Sequence, residues 1–163
     1  MYKHILVPTD GSELAEGAAR GAVRLARALG ARMTALHVLP VPSASALEAW
    51  EHHDPDFRPH LERAFERRGH EFLDTVREMA FRAGVQCDCE LSRAESPHEA
   101  IIERARKLGC DLVVMASHGR HGAAAVLPGS ETAKVLALGK VPVLVDLMRG
   151  RAPKTELPPG KHP

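Results

Sequence analysis

Four times along this chain a stretch with helical periodicity closes on a glycine, and a short β-type apolar run follows soon after. The first helix is expected over roughly Ser12–Leu29, with Leu14, Ala18, Ala22, Leu25 and Leu29 at helical spacing and Gly30 behind it. The second is expected from about Pro59 to Ala83 before Gly84, the third over Ser96–Leu108 before Gly109, and the fourth over Ser130–Leu138 before Gly139. Glycine just past a helix supplies the left-handed C-terminal cap, so the recurrence marks helix ends. The third helix also carries a start signal: Ser96-Pro97-His98-Glu99 offers an N-cap serine, proline at the first helical position and a glutamate that completes a capping box.

Between the helices lie Ile5–Val7, Met33–Val38, Val85–Leu91, Leu112–Met115 and Val141–Val145. Strands that alternate with helices imply parallel βα units with right-handed crossovers. The expected fold is therefore α/β: an open, twisted, five-stranded parallel sheet with helices on both faces, Rossmann-like in outline. The first and fourth runs are apolar almost throughout and belong at the centre of such a sheet. The third (VQCDCEL) alternates polar with apolar residues and reads as an edge. Two segments fall outside the alternation: the Pro/Ala/Ser-rich connection Pro40–Arg58, and the Pro- and Lys-rich stretch after Leu147. Residues 1–147 are read as one domain, and 148–163 as a disordered tail with little to bury.

Charge excludes several functions. Lys and Arg together number 22 against 21 Asp and Glu, so no basic footprint for nucleic acid or a membrane surface is expected. No apolar stretch has the length of a membrane span and no signal peptide is apparent, which points to a cytoplasmic protein. Cys87 and Cys89 alternate on one strand face and, with Cys110, read as small buried apolar residues. His118 and His121 lack further ligands at zinc spacing, and His52-His53-Asp54-Pro55-Asp56 reads as a solvated loop. Arg63, Arg67 and Arg68 mark the outer face of the second helix.

The chemistry concentrates in Asp111–Val145. An apolar run ends in Ala116-Ser117-His118-Gly119, and Pro128-Gly129-Ser130 then opens a helix. A small-residue loop beside a helix N-terminus forms an anion cradle, because backbone N–H groups and the positive end of the helix dipole converge there. The first strand exits into Pro8-Thr9-Asp10-Gly11-Ser12. If the first and fourth strands are neighbours where the strand order reverses, both loops line one crevice. Asp10 has a simpler role open to it, an Asx-turn or a cap on the first helix, and Ser130 can serve as an N-cap.

The opening KHILVPTDGS, the LHV that ends the second strand and the fourth-strand block together resemble the universal stress protein (UspA-like) family, over essentially Tyr2–Asp146. ATP-binding members carry glycine, two residues, glycine, nine residues, then glycine and serine or threonine. Here nine residues lie between Gly119 and Gly129, Ser130 follows, and Ala116 replaces the first glycine. The resemblance implies an adenine-nucleotide α-hydrolase-like fold binding ATP or another adenine nucleotide, with Mg²⁺ as an accompanying ion. It implies that Pro8, Thr9, Val38 and Met115 surround adenine and ribose, that Asp10 meets the ribose or a phosphate-bound metal, and that Gly119, Gly129 and Ser130 cradle phosphates. Ala116 and Glu131 are this chain's departures: a methyl where the family has none, and a carboxylate that competes with an anionic ligand for helix N–H groups. Arg120 and His121 stand ready to offset that charge. The resemblance also implies a homodimer through the last strand, Val141, Val143 and Val145, where Pro142 suits an edge.

Neither a P-loop lysine motif nor GxGxxG occurs, and no nucleophile–base pair can be assigned. The expected function is a stress-response regulatory protein that binds nucleotide and acts through its dimer and protein partners, with at most weak ATPase activity. The alternatives are a slow ATP-hydrolysing or nucleotidyl-transferring enzyme of the same fold, or a scaffold that binds no nucleotide.

Overall fold

The computed structural model describes residues 1–51, 56–117 and 130–147. The chain runs through β1 (His4–Pro8), α1 (Glu13–Leu29), β2 (Arg32–Pro40), α2 (Ala44–Glu51), α3 (Phe57–Arg82), β3 (Cys87–Ala94), α4 (Pro97–Lys107), β4 (Leu112–Ser117), α5 (Glu131–Leu138) and β5 (Val143–Leu147). The strands form one five-stranded sheet in the order β3-β2-β1-β4-β5, with every pairing parallel.

Alternate residues of the central strands face opposite layers. Ile5, Val7, Met33, Ala35, Leu112 and Val114 pack under α1 and α3, with Ala18, Ala22, Leu73 and Val76. Leu6, Leu36, Val113 and Met115 pack under α4 and α5, with Ile101, Ala105 and Val135. Covering both faces explains why β1 and β4 are apolar throughout. β3 has only one neighbour, and its alternation of polar and apolar residues fits that edge position. The alanine-rich buried side of α1 lets its backbone lie close to the sheet. At the opposite end of the strands from their C-termini, the Asp111 carboxylate accepts the backbone N–H groups of Lys3 (2.8 Å) and His4 (3.0 Å), tying the starts of β1 and β4 together.

Several expectations need correction. The Pro40–Arg58 connection contains a helix, α2, that packs against α3. Helix α3 starts at Phe57, placing Pro59 in the first turn, where its missing N–H would have no intrahelical acceptor anyway. Gly30, Gly84 and Gly109 take the left-handed conformation (φ 64°, 69° and 66°), as the sequence predicts. Gly139 does not: it is extended (φ −74°, ψ 149°), and α5 ends on its N–H bond to Val135 O. The capping box of α4 is also unformed. Ser96 occupies the N-cap but its side chain accepts no cap hydrogen bond, and the acceptor comes from Glu131 instead.

β3 is shifted to Cys87–Ala94, and β5 begins at Val143, leaving Val141 before the strand. Pro142 has no N–H to give, but its carbonyl accepts from Val113 N–H at 2.9 Å. Only one cysteine fits the buried reading: Cys110 is buried, Cys87 half-buried and Cys89 exposed. Among the described residues no helix is long and apolar enough to cross a membrane. The expected tail 148–163 and the His52–Pro55 stretch lie outside the described residues.

Candidate functional site

The strand order reverses between β1 and β4, and their C-terminal ends open onto a cavity of about 420 Å³. Crevices at this position are where open parallel sheets hold ligands, and the volume suits a small organic molecule. Loop 9–12 forms one wall, the ends of β2 and β4 form the floor, and the first turns of α4 and α5 close the far side. Of the residues predicted from sequence, Pro8, Thr9, Asp10, Val38, Met115, Ala116, Ser130 and Glu131 all line it. Gly119 and Gly129 lie outside the described residues, as do His118, Arg120 and His121.

The β1–α1 loop is held from several directions. Thr9 N–H donates to Leu36 O at 2.8 Å, and Gly11 N–H to Thr9 Oγ1 at 3.2 Å. His37 Nδ1 lies 2.7 Å from Thr9 O; a carbonyl only accepts, so Nδ1 carries the proton. Asp10 makes the Asx-turn, its Oδ1 accepting from Ser12 N–H at 2.9 Å. Ser12 then caps α1 by accepting Ala15 N–H at 3.2 Å. Asp10 is exposed at the cavity rim, and its Oδ2 takes no part in the turn.

On the far side, Ser130 is extended (φ −65°, ψ 149°) and its Oγ accepts Ala133 N–H at 3.1 Å. The hydroxyl is therefore engaged as an N-cap. Thr132 Oγ1 donates to Ala116 O at 2.9 Å and pins α5 against the end of β4. The N–H groups of Glu131 and Thr132 open the helix and have no acceptor within it, so they are the donors α5 can offer a ligand.

Glu131 turns away from its own helix end. Its Oε2 accepts from His98 N–H at 2.7 Å and lies 2.9 Å from His98 Nδ1, while Lys134 Nζ donates to Oε1 at 2.8 Å. Burial alone would raise its pKa, but the bonds from Lys134 and His98 outweigh burial and hold the carboxyl below its ordinary range. The competition for α5 N–H groups expected from the sequence thus takes another form: the carboxylate caps α4.

Sequence reasoning assigned no role to His37, Phe72 or Thr132. The LHV triplet places His37 on β2, but its bond to Thr9 O depends on the β1–β2 register, which the triplet does not contain. Phe72 reaches the loop from the middle of α3, its ring centroid 5.3 Å from that of His37 in an edge-to-face arrangement.

The cavity surface is mainly apolar, from Pro8, Leu36, Val38, Ile101 and Met115, with Asp10 on one wall and Ser130, Glu131 and Thr132 on the far one. That division fits a flat heteroaromatic group at the apolar end and a polar group at the α5 end. Among the described residues no cluster of three or more His, Cys, Asp or Glu could hold a metal. Burial pushes the thiols of Cys87 and Cys110 up to about 11, leaving both protonated and unreactive near neutrality.

A profile of the universal stress protein family matches residues 1–146. A universal stress protein of Methanocaldococcus jannaschii is 32% identical over 148 residues, covering 89% of this chain and 82% of its own length. Among solved structures, a universal stress protein family member from Burkholderia pseudomallei superposes with a TM-score of 0.69 at 26% identity, covering 89% of this chain and 96% of that one. The fold is shared with a universal stress protein solved in complex with cAMP (TM-score 0.65, 23% identity, 90% and 97% covered). It is shared too with one from Archaeoglobus fulgidus solved with dAMP (TM-score 0.60, 20% identity, 88% and 97% covered).

Proposed function

The chain belongs to the universal stress protein family, and from there we propose that it is a regulatory binding protein that holds ATP or a related adenine nucleotide between β1 and β4. The observation that carries this is the cavity itself. Eight residues named from the sequence, on four separate chain segments, converge on one 420 Å³ space. The apolar end at Val38 and Met115 accommodates a purine, Asp10 stands where a ribose hydroxyl can donate to it, and the opening N–H groups of α5 face the phosphate side. The complexes of two fold relatives with cAMP and dAMP support the choice of adenine.

Mass spectrometry of the protein purified under native conditions tests this reading. An adenine compound retained at a one-to-one ratio, or a thermal shift on adding adenine nucleotides, is expected. A ligand-free protein with no thermal response to any adenine compound at millimolar concentration would refute it.

Binding without efficient turnover is part of the proposal. Both oxygens of Glu131 are engaged by His98 and Lys134, so that carboxylate is not free to act as a general base. The protein would then act through partners whose affinity depends on the bound nucleotide.

A homodimer through β5 completes the reading. β5 is an edge strand, and an unpaired apolar edge is satisfied by antiparallel pairing with a two-fold mate. Val143 packs inward on the α4–α5 side, whereas Leu144 is 42% exposed, so Leu144 is the side chain this interface would cover.

A further inference from the structure

Thr9 is the first residue past β1, and its backbone changes partner there. β1 and β2 keep parallel register from His4↔Arg32 to Pro8↔Leu36, and Thr9 N–H still donates to Leu36 O at 2.8 Å. In a parallel ladder the residue making that bond accepts in turn from the N–H two positions further along, which is that of Val38. The donor at Thr9 O is instead the side chain of His37, whose Nδ1 stands 2.7 Å away. Among the described residues no Val38 N–H bond to Thr9 O accompanies it. The ladder therefore stops short at the place where Val38 lines the cavity.

From this exchange, and resting on the nucleotide reading above, we infer that His37 is a positioning residue for the site: by taking Thr9 O it leaves Val38 N–H, on the β1-facing side of β2, to an acceptor atom of the bound heterocycle. Helix α3 fixes the imidazole for that task. Phe72 meets it edge-to-face, with ring centroids 5.3 Å apart and planes at 76°. Gly69 lets the helix backbone lie close, since a Cβ there would come within 2.8 Å of both His37 Cδ2 and Leu91 Cδ1. Contacts on two sides restrict rotation of the ring, so Nδ1–H stays aimed at Thr9 O. A backbone donor freed in this way is met by water until a ligand supplies the acceptor.

Side-chain reach separates this role from packing. In His37→Asn the amide nitrogen falls near the place of Nδ1, so the bond to Thr9 O is retained. His37→Leu fills the space but has no donor. Thr9 O then falls to Val38 N–H and the ladder gains its missing bond. The fold loses little stability, while the ligand loses its donor. A merely structural histidine would give the reverse, a loss of stability with no effect specific to Val38.

The test combines hydrogen exchange at the Val38 amide with calorimetric titration of adenosine, AMP and ATP, on the full chain and both variants. In the unmodified protein and in His37→Asn, the Val38 amide should exchange quickly in the free state and slowly with adenosine bound. His37→Leu should protect that amide without ligand and bind adenosine about ten-fold more weakly, the equivalent of one hydrogen bond. Should His37→Leu fail to fold, His37→Gln, whose amide nitrogen reaches past the place of Nδ1, replaces it with the same expectations. A Val38 amide already protected in the ligand-free unmodified protein overturns the inference and leaves the nucleotide reading intact. So does an adenosine affinity that loss of the Nδ1 donor does not lower. Absence of heat with adenosine, AMP and ATP alike overturns both.

Discussion

The aromatic ring of Phe72 stands where a Cβ on Gly11 would have to go, with its Cζ 2.5 Å from that position. Helix α3 thus reaches over the end of the sheet and presses on the loop that forms one wall of the cavity. Gly11 also has φ +74°, a conformation that L side chains rarely adopt. The same helix has Gly69 against His37, where a Cβ would come within 2.8 Å of His37 Cδ2. His37 in turn holds Thr9 O.

Gly11→Ala is expected to cost about 1–3 kcal/mol through strain and overlap with Phe72. It should also weaken ligand binding, because Thr9 and Asp10 flank the displaced residue. Phe72→Leu introduced into Gly11→Ala relieves the overlap but not the φ, so it should restore only part of the loss. Urea unfolding of the two single variants and the double variant measures this, and additive losses would contradict the contact.

Ser130 separates a structural role from a binding role. Ser130→Ala removes the cap on α5 and should cost about 1 kcal/mol. Ser130→Asp keeps the cap and adds a charge beside the phosphate side, so it should leave thermal stability near that of the unmodified chain while weakening AMP more than adenosine. Thermal melts combined with titrations check both, and a stable Ser130→Asp with unaltered AMP binding would count against phosphate at this helix end.

His4 gives the fold a pH dependence near neutrality. It is buried, and its Nε2 lies 2.8 Å from Thr34 Oγ1. Burial, helped by Arg32, lowers its pKa from the ordinary 6.5. The unfolded chain therefore takes up a proton at a higher pH than the folded one, so stability is full above the ordinary value and falls as pH drops below it. Urea unfolding between about pH 7.5 and about pH 5.5 should show the midpoint falling, more steeply than for His4→Leu. Equal slopes would show that His4 is not the group responsible.

Leu144→Lys should convert the proposed dimer to a folded monomer, since the side chain is exposed in the single chain and its replacement leaves the core intact. Val143→Lys is the harsher change, because Val143 packs against the α4–α5 layer. Light scattering on the unmodified chain and on Leu144→Lys decides, and a monomeric unmodified chain at micromolar concentration would remove the dimer.

What the sequence made legible was local. Apolar runs and glycine caps placed the strands and three of the four helix ends, and the family resemblance pointed to the eight residues that line the cavity. What it concealed depends on contacts between distant segments. Ser96 and Glu99 have the spacing of a capping box, yet Glu131 supplies the acceptor to α4, because the fold sets the first turns of α4 and α5 side by side. Gly139 has the sequence position of a left-handed cap, yet α5 is a short helix that leads straight into Lys140–Pro142, and the chain leaves it extended. Helix α2 lies in a stretch whose Pro and Ser content reads as loop, and its packing on α3 comes from the tertiary fold. Cys89 shares a strand with Cys87, but the edge position of β3 exposes it.

The nucleotide site is tested most directly by following backbone amide resonances of isotopically labelled protein as adenosine or AMP is added. The account predicts that the amides of Thr9, Asp10, Val38, Met115 and Glu131–Thr132 shift together along one saturable curve, while those of β3 and the C-terminal half of α3 stay in place. Shifts confined to residues away from the β1–β4 crevice, or no shift at millimolar ligand, would contradict it.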